Sequence, residues 1–480
     1  MPHTGLKNIR GDSNYLLFID LARYLTKQGH YVYMYMPRFA KDSVDRFPGL
    51  AYIFKDYDYD FYTEYGLVDI RTLAEKFSRT VGKYFIDVII TAMASQVPFY
   101  QVALSDYVHQ RDVPCMVIEP AVYQEQKTGM HEHQLRGRMS FIFQALGFAY
   151  STPIFLAPHE KANAMENAKK CLSGSDVKRI DRNARIVSVG VPCDYVNEET
   201  KDITEKYDKF TLFFGGRLNS VKNPASIFDL YSKFVQSGKN AQIKVTSNTG
   251  QVKFFAYGDG YKAYQKVKDV IDITYQCPRE DYVKIAKRSH VAIAWSRSEG
   301  FPVGFWEQMY MGLPLLFKNE RWVRAQIPDW YPWVFDTKNQ AYAMLLDLYE
   351  NYDKVVPPVM DRMKEFIEEN YNSNKIHATI EVELDRMYNL PEQYKSIKSI
   401  RKLIVDGTSV FKPGTKVTVN DMIRMLGKLG RSFPEDSRHR TLNAKFPRDY
   451  EIYRMMLEIG YKDTFRSPIP ELIVPDLEGK

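Results

Sequence analysis

Short apolar runs alternate with amphipathic stretches along most of this chain, and the alternation starts over midway. "YLLFIDLARYLTKQGH" places Leu16, Phe18, Leu21 and Leu25 at helical spacing, and "YVYMYM" follows after Gly29 as a buried strand. "DIRTLAEKFSRTVG" and "VPFYQVALSDYVHQ" read as further helices, each followed by a strand, "DVIITAM" being the strand between them and "VPCMVI" the strand after. "PIFLAP", a helix around "HEKANAMENAKKCL", and "RIVSVGVP" complete the first round. A polar stretch, "NEETKDITEKYDKF", reads as a linker. The second round then runs "TLFFGGRL", "NPASIFDLYSKFVQSG", "QIKVTSN", "VIDITYQ", "REDYVKIAKRS", "HVAIAW". Such alternation demands parallel sheets with crossover helices, so the fold class is α/β, with two doubly wound domains. A length of 480 residues agrees, because it exceeds what one core supports. One detail is odd. "MPHTG" reads as the loop after a first strand, yet no strand stands before it. Either that strand is missing here or the sheet starts differently.

Several function classes drop out early. No stretch of about 18 apolar residues exists, so no transmembrane helix is expected. "MPHTGLKNIRGDSNY" lacks the apolar centre of a signal peptide. Cys115, Cys171, Cys193 and Cys277 are scattered without CxxC spacing, which suits a reducing compartment better than disulfides or zinc. The expectation is a cytoplasmic protein. The net charge of +7 is unevenly placed: residues 395–466 hold 16 Lys and Arg against 8 Asp and Glu.

The segment "SEGFPVGFWEQMYMGLPLLF" follows the strand "HVAIAW". "SRSEGFPVG" is then a loop at a strand's carboxyl end, and "FWEQMYM" a helix stopped by Gly312 and Pro314. Glu299 sits in the loop and Glu307 in the helix's early turns. The free N–H groups and positive dipole end between them suit a phosphate. Carboxylates repel a phosphate, so these two should face sugar or ribose hydroxyls. A capped helix with two solvated acids is the plainer alternative. In "FFGGRLNSVKN" a strand ends at Gly215-Gly216, and Arg217 and Lys222 follow in the loop. They form a diphosphate clamp or, alternatively, a surface basic loop.

Taken together, "GRL…VKNP" and "SRSEGFPVGFWEQMYMGLP" resemble glycosyltransferase family 4 and its relatives of the GT-B fold. The family signature is a glutamate, seven residues, a second glutamate, and a small-x-Gly-x-Pro turn. Glu299 and Glu307 have that spacing, and "MGLP" supplies the Gly-x-Pro of the turn. "LARYLTKQGHYV" and "VGVPCDYV" are similar to other family segments, and the resemblance covers residues 5–390. It implies two Rossmann-like domains across a cleft: an acceptor domain over 1–197, a nucleotide-sugar donor domain over 198–375, and a helical return segment over 376–395. A small basic helical extension over 396–480 would follow. It also implies a retaining glycosyltransferase that needs no metal or prosthetic group and takes UDP-glucose or a similar nucleotide-diphosphate sugar as co-substrate. Arg217 and Lys222 would hold the diphosphate and Glu299 the transferred sugar. Gly216, Gly300, Phe301, Pro302 and Val303 would line the donor, and Glu307 would bind the ribose. Gly11 and Ser13 fall where the family has its first glycine-rich loop. Here the pattern departs, since Asp12-Ser13 replaces the usual Gly-Gly pair. Glu119 occupies the region where the family often has a histidine. His131 and His133 of "GMHEHQLRG" are the nearest alternatives, or else an exposed helix start.

The extension carries Arg424, Lys428, Arg431, Arg438, Arg440 and Arg448 on or between two short helical patterns, "VTVNDMIRMLGKLG" and "PRDYEIYRMMLEIG". A basic helical hairpin resembles a nucleic-acid-binding appendage, or else a solvated cap on the catalytic domains. Three readings of function follow. One is glycosylation of a hydroxymethylated pyrimidine in DNA, as some phage glucosyltransferases do, in which case the setting is the host cytoplasm. The second is glycosylation of a lipid or envelope glycan with peripheral membrane contact. The third is a non-enzymatic nucleic-acid-binding protein on a decayed GT-B fold, against which the intact Arg217, Lys222, Glu299 and Glu307 argue.

Overall fold

Strands buried on both faces have no polar side to alternate with, so they read as continuous apolar runs. In the second half of the chain this is what forms. The computed structural model describes residues 13–389 apart from 38–39, 56–85, 93, 95–96, 102–103, 106–107, 110, 120–121, 123–143, 219–220 and 248–258, together with three short strands farther on. In chain order the strands before residue 390 are β1 (Val32–Pro37), β2 (Leu50–Lys55), β3 (Ile89–Thr91), β4 (Cys115–Glu119), β5 (Thr152–Phe155), β6 (Arg185–Ile186), β7 (Phe210–Gly215), β8 (Ala241–Ser247), β9 (Ile271–Tyr275), β10 (Val291–Ala294), β11 (Leu315–Lys318) and β12 (Val334–Phe335). The helices are α1 (Ser13–Lys27), α2 (Val97–Gln101), α3 (Pro158–Cys171), α4 (Gly174–Asn183), α5 (Cys193–Thr200), α6 (Pro224–Gln236), α7 (Asp259–Gln265), α8 (Arg279–Arg288), α9 (Val303–Tyr310), α10 (Arg321–Gln326), α11 (Lys338–Asn370) and α12 (Ser373–Asn389).

The second sheet has six parallel strands in the order β12-β11-β10-β7-β8-β9. The chain winds outward from β7 to β9, returns, and continues from β10 on β7's other side. Strand order therefore reverses between β7 and β10. The crevice outside the carboxyl ends of such a pair is where open α/β sheets take ligands. Leu212, Phe213, Ile293, Leu315 and Leu316 are buried in this sheet, each contributing about 1.5–3 kcal/mol. The first half holds the parallel run β3-β4-β5-β6 and a separate parallel pair, β1-β2.

Helix α1 buries Tyr15, Phe18, Ile19, Ala22 and Leu25, an i, i+3, i+4, i+7 stripe. Leu16, expected on the buried face, lies off that stripe and is exposed. The stretch expected to be a linker is helical through Thr200, because Val196 and Thr200 bury one side of α5. Of "RIVSVGVP" only Arg185 and Ile186 join the sheet. Its remainder runs against the start of α12, where Val191 N–H donates to Tyr371 O (2.6 Å) and Ser373 N–H to Val191 O (2.9 Å). The chain thus returns to its first half through α12, whose Glu381 accepts from Tyr24 (2.9 Å) and lies 3.1 Å from His30 Nε2.

Three strands lie beyond residue 389: β13 (Lys416–Thr418), β14 (Lys462–Asp463) and β15 (Glu471–Ile473), antiparallel in the order β13-β15-β14. Val417 and Thr418, expected to open a helix, instead pair with Leu472 and Glu471. The rest of the two helical patterns lies outside the described residues, as does "DIRTLAEKFSRTVG".

Candidate active site

Two loops meet at the carboxyl ends of β7 and β10. After β7 comes Gly216, whose N–H donates to Thr246 O (3.0 Å), then Arg217, which is exposed and has no ion-pair partner among the described residues. Asn223 then adopts a left-handed conformation (φ 51°), which Asn tolerates better than most residues, and Pro224 starts α6. This turn sets Lys222 just ahead of the helix. Its Nζ lies 2.5 Å from Glu299 Oε1 and 4.9 Å from the centre of the Phe305 ring. The backbones of the two loops are also tied, Arg297 N–H donating to Val221 O at 3.1 Å.

The loop after β10 is held by its carbonyls. Trp322 Nε1–H donates to Ser296 O (2.9 Å) and Gln326 Nε2 to Gly300 O (2.6 Å). From the other half of the chain, His159 at the start of α3 reaches Glu299 O at 3.0 Å. A carbonyl only accepts, so Nε2 carries the proton in this contact. A backbone pinned at three carbonyls is held in place before any ligand arrives, with Val303 N–H already donating to Phe301 O at 3.0 Å. Phe301 and Pro302 are buried, with Phe301 stacked on Trp306 (5.5 Å, 13°). Pro302 caps α9 without a side-chain hydrogen bond and Val303 is its first residue. The helix N-terminus thus faces the crevice. At its other end Gly312 (φ +86°) donates to Met309 O and Leu313 to Gln308 O, a Schellman stop.

The two glutamates are not solvated acids on a capped helix. Glu299 is ion-paired to Lys222 and 13% exposed. Glu307 is 7% exposed and accepts from Arg279 Nη1 at 2.8 Å. Arg279 also holds Glu199 of α5 through Nε (3.1 Å) and Nη2 (2.8 Å), and the rings of Tyr195 and Tyr282 flank it. Burial works against the Arg279 charge, but Glu307 and Glu199 outweigh it and hold the guanidinium's pKa above its ordinary value. Burial raises the pKa of Asp20 on α1; Arg23 opposes this, and Glu307 adds to it. Sequence reasoning missed Arg279, Glu199 and His159. A signal for the first existed, since a cation at the first position of a helix opposes the dipole and asks for a tertiary partner. His159 carries no comparable signal.

Glu119 ends β4, is buried, and accepts from Ala94 N–H (2.9 Å), binding two loops of the first half. Ser13 opens α1, but its side chain lies outside the described residues, as do Gly11, His131, His133, Arg424, Lys428, Arg431, Arg438, Arg440 and Arg448. Among the described residues no group of three His, Cys, Asp or Glu is placed to hold a metal ion, and no helix is long and apolar enough to cross a membrane.

Residues 196–370 match the family model described as glycosyl transferases group 1. The fold is that of GT-B enzymes. Sucrose-phosphate synthase from Thermosynechococcus elongatus superposes with a TM-score of 0.62 at 13% identity, over 79% of this chain and 94% of that one. HepE of Anabaena, in complex with UDP and glucose, gives 0.56 at 10% identity over 78% and 96%. A glycosyltransferase of Rickettsia africae gives 0.56 at 12% over 78% and 94%. No curated protein matches significantly. The family match supports sugar transfer as the class of reaction.

Proposed function

We propose that the protein moves a sugar from a nucleotide-diphosphate sugar to an acceptor hydroxyl with retention of configuration. The observation that carries this reading is the Lys222–Glu299 pair at the strand-order reversal, beside the exposed Arg217. An incoming diphosphate takes Arg217 and Lys222 as counter-charges, together with the N-terminus of α9. Lys222 then shifts toward the phosphate and frees Glu299 for sugar hydroxyls. As the glycosidic bond breaks, negative charge grows on the leaving phosphate, and the two cations stabilise it there. Glu307, fixed by Arg279, accepts from the ribose.

The partners of the two carboxylates bear on the route by which retention is reached. A double-displacement route needs a carboxylate free to attack the sugar carbon. Glu307 is held by Arg279, and Glu299, once Lys222 turns to the phosphate, is taken up by sugar hydroxyls, so in this reading neither is left free as a nucleophile. Departure and attack on one face, with a leaving-phosphate oxygen taking the acceptor proton, asks for no such group.

For the acceptor we favour a hydroxymethylated pyrimidine in DNA, on the basic charge of residues 395–466. Such an excess of cations binds phosphates with a steep salt dependence. The test is transfer of radiolabelled sugar to duplex DNA with and without hydroxymethylated bases, and to extracted envelope lipids. Incorporation into the modified DNA supports this acceptor. Labelled lipid with unlabelled DNA replaces it with the envelope reading and leaves the donor site untouched.

A further inference from the structure

His159 is almost wholly closed to solvent, at 6% exposure, and its Nδ1 has no hydrogen-bond partner among the described residues. A buried polar atom without a partner is unfavourable and asks for a reason. Packing alone does not supply one, because an apolar ring of similar size would fill the same space without that cost. What the imidazole offers is Nε2–H, which meets Glu299 O at 3.0 Å. Glu160 Oε1 lies farther from the same nitrogen, at 3.5 Å, and Glu160 Oε2 accepts from Val122 N–H (2.9 Å). The shorter contact of Nε2 is therefore the one that crosses to the second half of the chain.

Both ends of that contact are fixed. Strand β5 leads into α3 through Leu156 and Ala157, both buried, and Pro158 presets the backbone of the first helical turn. Helix α3 packs on α10, where Asn163 Oδ1 accepts from Arg321 Nη1 at 3.3 Å. In turn α10 holds the same loop at Ser296 O and Gly300 O. One helix from each half thus holds the loop, and the carbonyl of Glu299 itself falls to His159. We infer that His159 is a positioning residue: through its Nε2–H the first half sets the backbone from which the Glu299 carboxylate faces the transferred sugar. This rests on the sugar-binding role proposed for Glu299, and it makes that role depend on a residue of the other half. The diphosphate cations Arg217 and Lys222 stand on the loop after β7 and owe nothing to this contact.

The test compares His159→Gln, His159→Asn and His159→Phe in the full chain. Glutamine carries an amide N–H about as far from the backbone as Nε2. The amide of asparagine falls short of it, and phenylalanine has no donor. Amide exchange over residues 296–306, with no donor present, should be faster than the parent's in the asparagine and phenylalanine variants and parent-like in the glutamine variant. With UDP-glucose as donor, kcat/KM should fall by about 10- to 100-fold in the same two variants and far less in the glutamine variant. UDP affinity, read by calorimetry, should stay at the parent's level in all three. If the phenylalanine variant fails to fold, the asparagine and glutamine variants decide between them. Parent-like exchange in the asparagine variant, a glutamine variant as impaired as the asparagine one, or UDP affinity falling in step with turnover would overturn the inference. A parent that turns over no UDP-glucose counts against the proposed reaction with that donor, and the exchange comparison then decides the role of His159 alone.

Discussion

Lys222 Nζ and Glu299 Oε1 lie 2.5 Å apart at the strand-order reversal, and both side chains are largely closed to solvent, at 14% and 13% exposure. Each charge is tolerated there because of the other. Removing one partner strands a shielded charge and costs about 3–5 kcal/mol. We predict that Lys222→Met and Glu299→Gln each lower Tm, and that the double variant is more stable than the sum of the two losses allows. A double-mutant cycle by thermal unfolding measures this, and strict additivity would contradict the pairing.

Arg279 bears on donor affinity without touching the donor in the proposed reading. It fixes the Glu307 carboxylate and shares its fork with Glu199. Hydrogen bonds to charged groups are worth about 1.5–3 kcal/mol, so Arg279→Ala should lower kcat/KM for the donor by about 10- to 150-fold, mainly through KM. Arg279→Lys keeps the charge but loses the planar fork, and should fall between. An unchanged KM in both variants would detach Glu307 from the ribose.

Gly190 is where the returning chain passes closest to α12. A Cβ there would lie 2.2 Å from Ser373 Cα, a backbone atom that cannot swing aside. Gly190→Ala should therefore destabilise by about 1–3 kcal/mol, the usual cost of overpacking. Urea unfolding reads it, and a wild-type midpoint would show that the two segments separate freely.

Stability should also fall in mild acid. Burial lowers the His290 pKa to about 4, and its Nδ1 accepts from Thr211 N–H (3.0 Å), a bond that protonation removes. Burial likewise brings His377 to about 4. Between about pH 6.5 and 4 the unfolded chain binds protons that these folded imidazoles refuse, so their contribution to stability drops as pH falls through that window and is level above it. The His290→Gln and His377→Gln variants should each show a shallower slope between those limits. Slopes equal to the parent's would contradict the assignment.

Much of this was legible in the sequence because buried parallel strands and amphipathic helices leave different periods. "TLFFGG", "QIKVTSN", "HVAIAW" and the helices between them stand close to where their patterns place them. The two glutamates and the Lys222 loop were visible too, since Gly, Pro and charge crowd the ends of strands where a site is built. What stayed hidden depends on contacts between distant segments. Nothing local shows that Glu199, in a stretch read as a linker, would share Arg279 with Glu307. Nor does "APHEKAN" show that His159 would reach the carbonyl of Glu299. The short strand at Lys416–Thr418 was also missed, because its pairing with Glu471–Ile473 overrides a helical pattern.

The most direct test is release of nucleoside diphosphate from a panel of nucleotide-diphosphate sugars by the full chain and by Lys222→Ala, with folding followed by circular dichroism. The account predicts turnover of at least one donor, falling by about 100-fold or more in the variant while its fold persists. Parent-level turnover by Lys222→Ala, or a folded parent that turns over none of the donors, would contradict it.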